Sequence, residues 1–268
     1  SACSADVSTI YGEALAKKAA GRMARSELRT IDPGEYPVVL EPDAVSEMLS
    51  FLAAYGFSAA AVQMNQDSTG LGSKCLSEKI SIWDDGLSPE GLPVPFDCEG
   101  VPKQSLPLVE KGVFKNVVYD NSAARQFGKK STGHNLPVMS SIWPLPPHIS
   151  ARCQPTNLFV GPGENSRQDL IGKISKGIVI TRFHYNRLVH PLGTVVTGTT
   201  RGGTFLIENG EITKPIYNLR YTQSFWDALK QVEAVGSEPV LHRSSFGAHF
   251  VPALCLSAFR FVANAADG

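Results

Sequence analysis

The sequence predicts an α+β fold, a small α/β subdomain followed by a mostly antiparallel, rolled and barrel-like β-sheet subdomain with packed helices. Three observations carry this expectation. The apolar run Tyr36 to Leu40 leads into Pro42 and a helix whose Val45, Met48, Leu49 and Leu52 recur at i, i+3, i+4 and i+7. Beyond Pro155 the pattern changes to short β-type segments separated by Gly, Pro and Asn. Among these, Asn209-Gly210 stands between apolar Phe205-Leu206-Ile207 and Ile212, the strongest hairpin signal in the chain.

In chain order, Val7 to Arg25 reads as an amphipathic helix with Ile10, Ala14, Leu15 and Ala19 on one face, ending before the Asp32-Pro33-Gly34 turn. Gly56 stops the helix that Pro42 opens. Residues Gln63 to Gly100 are broken by Gly70, Gly72, Gly86, Pro89, Gly91, Pro93 and Pro95 and read as exposed loops, with Asp84-Asp85-Gly86 a solvated turn. A strand over Val113 to Tyr119 then runs into a short helix at Ser122 to Phe127, and Lys129 to Pro155 returns to loop. In the second half, strands are expected at Asn157 to Val160, Gly177 to His184, Thr194 to Thr200, Thr204 to Ile207 and Ala253 to Val262. Helices are expected at Asp169 to Lys176 and Phe225 to Val235. The resulting organisation is a connecting helix over 1–34, an α+β subdomain with long loops over 35–154, and a β-rich subdomain over 155–268.

The bulk numbers narrow the function. Of 268 residues, 43% are hydrophobic, enough for a real core. Lys+Arg and Asp+Glu are both 25 and no basic run stands out, so nucleic acid is not an expected partner. Five cysteines without a CxxC pair suit reduced thiols and a cytoplasmic setting. No apolar run reaches the ~18 residues of a membrane span, and Asp6, Glu13, Lys17 and Lys18 are unlike a signal peptide.

Several residues could carry chemistry, and each has a plainer structural reading. His134, in a loop near Arg125 and Asn135, could polarise a carbonyl or bind an anion, or simply hydrogen-bond beside a Gly turn. Asp97 and Glu99 alternate in an extended segment and could form a carboxylate pair, or accept backbone N–H bonds. Thr199-Thr200-Arg201-Gly202-Gly203 is the candidate peptide-binding segment, because glycines let a substrate backbone approach and Arg201 can take a carboxylate; an ordinary hairpin connection is the alternative. The pairs His184/His190 and His242/His249 lack the spacing of ligands on one helix face.

A series of blocks in fixed order carries a family resemblance. They are Tyr36-Pro-Val-Val-Leu-Glu-Pro42, Pro95-Phe-Asp-Cys-Glu-Gly-Val-Pro102, Leu108-Val-Glu-Lys-Gly-Val-Phe114, Tyr119-Asp120, Ala123-Ala-Arg125 and Ser131-Thr-Gly-His-Asn135. Pro155-Thr-Asn-Leu158, Gly198 through Gly210 and Val235-Gly236 complete it. Each is short alone, but together, over roughly residues 5 to 262, the chain resembles the carboxy-terminal part of the TldD/PmbA metallopeptidase family, whose members also carry the older label of gyrase modulators.

The resemblance implies a separate amino-terminal domain, expected to be missing from this chain. It also implies, for the catalytic type, zinc held by a HExxxH helix and a distal cysteine. The corresponding turn is Ser46-Glu-Met-Leu-Ser-Phe51, so Glu47 stands where the general base would be while Ser46 and Phe51 replace both imidazoles. The cysteine would fall near Ser244-Ser245-Phe246-Gly247, which has none. This chain is therefore expected to carry no metal or other cofactor, zinc being left to a catalytic partner. The implied role is a non-catalytic peptide-binding subunit in proteolysis or peptide maturation, pairing with a second copy or with a TldD-type subunit and holding unfolded peptide. Two alternatives stand beside it: a hydrolase using a relocated site with Glu47, His134 or the His184/His190 pair, and a biosynthetic-cluster relative acting on a small peptide-like molecule.

Overall fold

A computed structural model describes residues 2–4, 6–22, 27–59, 61, 70–136, 153–244 and 247–265. Its α+β architecture is built on two sheets with one central helix between them. Strand β1 (Gly34–Leu40) leads through Glu41 into α2 (Pro42–Tyr55), with Pro42 at the first helical position where its missing N–H costs nothing. The predicted stripe Val45, Met48, Leu49 and Leu52 is fully buried, and Gly56 closes the helix. Ahead of them the single long amino-terminal helix is not formed: a 3-10 turn at Val7–Thr9 precedes α1 (Gly12–Arg22).

The larger sheet contains β1, β6 (Lys176–His190), β7 (Val195–Glu208), β9 (Leu219–Ser224) and β13 (Leu254–Asn264) in that order, and β13 pairs back onto β1. This closes the ring that the rolled-sheet expectation called for. Every pairing round the ring is antiparallel except β1 with β6. Strand β8 (Glu211–Pro215) hangs from β7 through the predicted hairpin, whose Asn209 and Gly210 take φ of 52° and 79°. Strand β10 (Val232–Val235) pairs with β13. Side chains alternate as the pleat demands: Val38, Leu40, Ile178 and Ile180 face the main core, whereas Val39, Val179 and Cys255 pack under α4 (Arg167–Gly172).

The second sheet runs β11 (Val240–Ser244), β12 (Gly247–Val251), β5 (Asn157–Val160), β2 (Ile82–Asp85), β3 (Ser105–Glu110) and β4 (Val113–Phe114). Both sheets draw strands from either side of residue 154, and α2 packs on both.

Several local expectations need correction. The helix α5 stops at Lys230 after starting at Phe225, because Val232 to Val235 finds a partner strand in β13. The strand at Val113 ends at Phe114, and the preceding β3, not among the expected strands, carries Pro107 beside a one-residue register slip against β2. Thr194 to Thr200 and Thr204 to Ile207 are one strand, β7. The turn at Asp84 is instead strand β2, with Asp84 fully buried. The helix α3 (Asn121–Phe127) is capped by Asp120, whose carboxylate accepts the Ala123 N–H. Much of the expected Lys129 to Pro155 loop, with Pro144, Pro146 and Pro147, lies outside the described residues. No described helix is long and apolar enough to cross a membrane.

Candidate functional site

Two irregularities of the long β6–β7 hairpin assemble a polar site beside α2. In the first, Tyr185 and Asn186 stand opposite Gly198 alone, since His184 pairs with Thr199 and Arg187 with Thr197. Tyr185 takes φ of 55° to make this bulge, and Asn186 is thereby turned toward α2. There Asn186 Nδ2 donates to Glu47 Oε2 at 3.2 Å, while the Tyr221 hydroxyl donates to Asn186 Oδ1 at 2.8 Å. Gly198 makes the arrangement possible: a Cβ on it would lie 2.3 Å from Asn186 Oδ1 and 2.9 Å from the Tyr221 oxygen.

Glu47 is half-buried, with Arg182 Nε 3.9 Å from its Oε1. Burial pushes its carboxyl up to about 7, against the pull of Asn186, Arg182 and the Phe183 N–H; Asp43 pushes the same way as burial. Tyr221, held well above the usual phenol range first by burial and then by Glu47, remains a donor. Glu47 therefore exchanges a proton near neutrality, the property expected of a group that answers to a ligand or acts as acid or base. The shift also has a stability consequence. The unfolded carboxyl ionises near 4.5, so the favourable contribution is complete below that pH and is lost as pH rises through about 7. Glu47→Gln is expected to raise the melting temperature at pH 8 and leave it nearly unchanged at pH 5.

In the second irregularity Gly202 and Gly203 stand opposite Thr181 alone, with φ of 77° and 120°. The segment Thr199 to Gly203 is thus part of β7, regularly paired through Arg201 and bulged at Gly202 and Gly203, and not a hairpin connection. Its members divide. Thr200 is buried and structural, its hydroxyl accepting from Thr204 Oγ1 at 2.7 Å and from the Leu219 N–H at 2.9 Å. Thr199 donates to the His184 carbonyl at 3.3 Å. Arg201 and Gly202 are exposed, with Arg201 directly opposite Arg182.

The turn that corresponds to HExxxH is occupied otherwise. Both Ser46 Oγ and the Ser46 carbonyl lie 3.0 Å from His249 Nδ1; the carbonyl can only accept, so the ring proton sits on that nitrogen. Burial takes His249 down to about 4, keeping it neutral. Phe51 packs its ring against Phe225 at 5.8 Å and Tyr55 at 6.4 Å. Neither residue suits zinc: one has no lone pair and the other is tied to His249. His242, opposite His249 across β11 and β12, holds Asp43 Oδ1 at 2.9 Å through Nδ1. Among the described residues no three metal-binding side chains converge. Ser245 and Phe246, near which the distal cysteine would fall, lie outside the described residues.

The remaining candidates are built into the fold. His134 is fully buried, with Nε2 at 2.9 Å from Asp84 Oδ1 and Nδ1 at 2.9 Å from Thr132 Oγ1. Arg125 is exposed on α3. Asp97 accepts the N–H groups of Glu99, Val101 and Asn135, each at 2.9 Å, and Glu99 accepts that of Asn121 at 2.9 Å. The two carboxylates serve different backbones, not one reaction. Sequence reading missed Asn186, Tyr221 and Arg182; the one available hint was Gly198 inside a strand pattern, a mark of close approach.

Known proteins share this frame. A solved structure from Thermotoga maritima, described as a modulator of a DNA gyrase, superposes with a TM-score of 0.82 at 24% identity, covering 97% of this chain and 57% of that one. TldE from Thermococcus kodakarensis gives 0.78 at 23%, covering 93% and 55%. In sequence, a metalloprotease TldD homolog of Buchnera aphidicola (subsp. Acyrthosiphon pisum) is 28% identical over 76% of this chain. A metalloprotease PmbA homolog of Haemophilus influenzae is 26% identical over 87%. The chain spans less than half the length of each, 41% and 47%. Residues 33–262 match the family model of the PmbA/TldA metallopeptidase C-terminal domain, and the chain belongs to the TldD/PmbA family.

Proposed function

We propose that this chain is a non-catalytic, peptide-holding subunit of a TldD/PmbA-type assembly, working with a zinc-bearing TldD-type partner or a second copy in proteolysis or peptide maturation. The observation that supports this reading is the occupied helix turn. Ser46 bonds His249 and Phe51 fills an aromatic core contact, so the two positions that would grip the metal have been given to packing. A peptide holder needs only backbone approach and a few polar anchors. The exposed bulge at Gly202 offers the first, and Arg182, Arg201 and the Glu47–Asn186–Tyr221 chain offer the second.

A metal-independent hydrolase centred on Glu47 is the second reading, favoured by its titration near neutrality. Affinity capture of the tagged chain from its native host, followed by mass spectrometry, separates the two. A co-purifying protein with a HExxxH sequence is the expected result. Peptide hydrolysis by the chain alone, abolished by Glu47→Gln, would establish the second reading, and stoichiometric zinc with chelator-sensitive activity would overturn both.

A further inference from the structure

The β6–β7 hairpin carries an electrostatic oddity that the fold does not need. Arg182 and Arg201 are a directly opposed cross-strand pair, a placement in which like charges repel. The outward positions around them add charge of the same sign or none. His184 lies two residues along from Arg182 opposite Thr199, and Arg220 faces Thr199 from β9. Burial first, then the charges of Arg201 and Arg182, hold the His184 imidazolium pKa down. The carboxylate at hand is Glu47, but at 3.9 Å from Arg182 Nε it makes no close fork, and Arg201 has no ion-pair partner among the described residues.

We propose that Arg182 and Arg201 form a subsite for the free carboxylate end of a peptide, with Glu47 as the internal carboxylate that this end displaces. The proposal rests on the peptide-holding reading above and names the part of the peptide that is read. Two guanidinium forks match the planar, four-lone-pair geometry of a carboxylate better than that of a single lysine-type charge would. A Cβ on the exposed Gly202 would lie 3.2 Å from Arg182 Cγ, so the absence of a side chain there lets the Arg182 stem lie over the bulge and brings its guanidinium alongside Arg201. A nucleic-acid backbone would ask for a longer basic track; here the net charge of the chain is zero.

Displacement has a proton consequence. A second carboxylate beside Glu47 and the loss of Arg182 both favour its neutral form, so binding takes up a proton and weakens as pH rises from 6 to 8. The groups facing Glu47 are Arg182, Asn186 and the Phe183 N–H from β6, with Asp43 on its own helix and Tyr221 behind Asn186. His184 titrates in the same sense, and Glu47→Gln separates the two contributions.

The test uses the full chain and a fluorescein-labelled decapeptide of alternating alanine and serine, with a free carboxyl terminus or as its carboxy-terminal amide, followed by anisotropy. The amide is expected to bind about tenfold more weakly, the factor carried by a charge-assisted hydrogen bond. Arg182→Gln and Arg201→Gln should each weaken the acid peptide by about the same factor and the amide by much less, so that the difference between the two peptides shrinks. Glu47→Gln should bind the acid peptide at least as tightly and flatten the pH dependence. Equal binding of acid and amide would overturn the subsite and leave peptide holding intact. Absence of binding by both would overturn the two together. Tighter binding of an oligothymidylate, competing at the same arginines, would overturn the proposal in favour of a nucleic-acid site.

Discussion

Replacing Asp84 by alanine is expected to lower the stability of the fold by about 3–5 kcal/mol, the range for breaking a buried charge network by removing one partner. Asp84 is fully buried in β2, and its Oδ2 accepts the Thr156 and Asn157 N–H groups at 2.7 Å each while Oδ1 meets His134 Nε2 at 2.9 Å. Lys103, also buried, bonds Thr156 Oγ1 and is attracted to Asp84 and Asp97. Alanine would leave two backbone donors unpaired and an ammonium short of its counter-charge. Urea unfolding measures the loss, and a change below about 1 kcal/mol would show that the network is not what ties β2 to β5.

The pH dependence of the same variant gives an independent check. Burial alone would raise the Asp84 carboxyl, but the hydrogen bond and charge of His134, the Lys103 charge and the Asn157 amide together bring it below its ordinary value. Its folded pKa is therefore depressed. The stability it supplies is fully present above the unfolded carboxylate value near 4 and is lost as pH falls through the lower folded one. The acid limb of the stability curve should be shallower in Asp84→Ala than in the parent chain.

How much of this was legible in the sequence follows from where the information lay. The α2 stripe and the Asn209-Gly210 hairpin were readable because periodicity and turn chemistry are local. The replacement of both imidazoles at Ser46 and Phe51 was readable for the same reason. Burial of Asp84 was not, since an Asp-Asp-Gly string is ordinarily a turn and only pairing with β3 and β5 makes it a strand. Val232 to Val235 read as helix because its neighbours did; its strand partner comes from β13, some twenty residues away. The Glu47 site depended on Asn186 and Tyr221, respectively 139 residues away from Glu47 and 35 from Asn186. A bulge that rotates one side chain leaves no periodic trace.

Phe183 joins the barrel core to that site, so its truncation should register in both. Its ring is fully buried, with centroids 4.7 Å from Tyr221, 5.5 Å from Phe259 and 6.3 Å from Phe225, and its N–H supports Glu47. Phe183→Ala is expected to cost about 3–5 kcal/mol, the usual range for emptying an aromatic core position. The void adjoins Tyr221, which orients Asn186, so the hold on Glu47 loosens and water gains access. Its carboxyl should then titrate below the value of about 7 that burial imposes in the parent, as carbon-13 NMR of the side-chain carboxyls would record. Phe183→Leu fills most of the same space and should cost less while leaving that titration in place. Asp84→Ala disturbs the other sheet and should leave it in place too. An unmoved Glu47 titration in Phe183→Ala would mean that α2 alone sets its burial, and that the aromatic core supports the barrel without shaping the site.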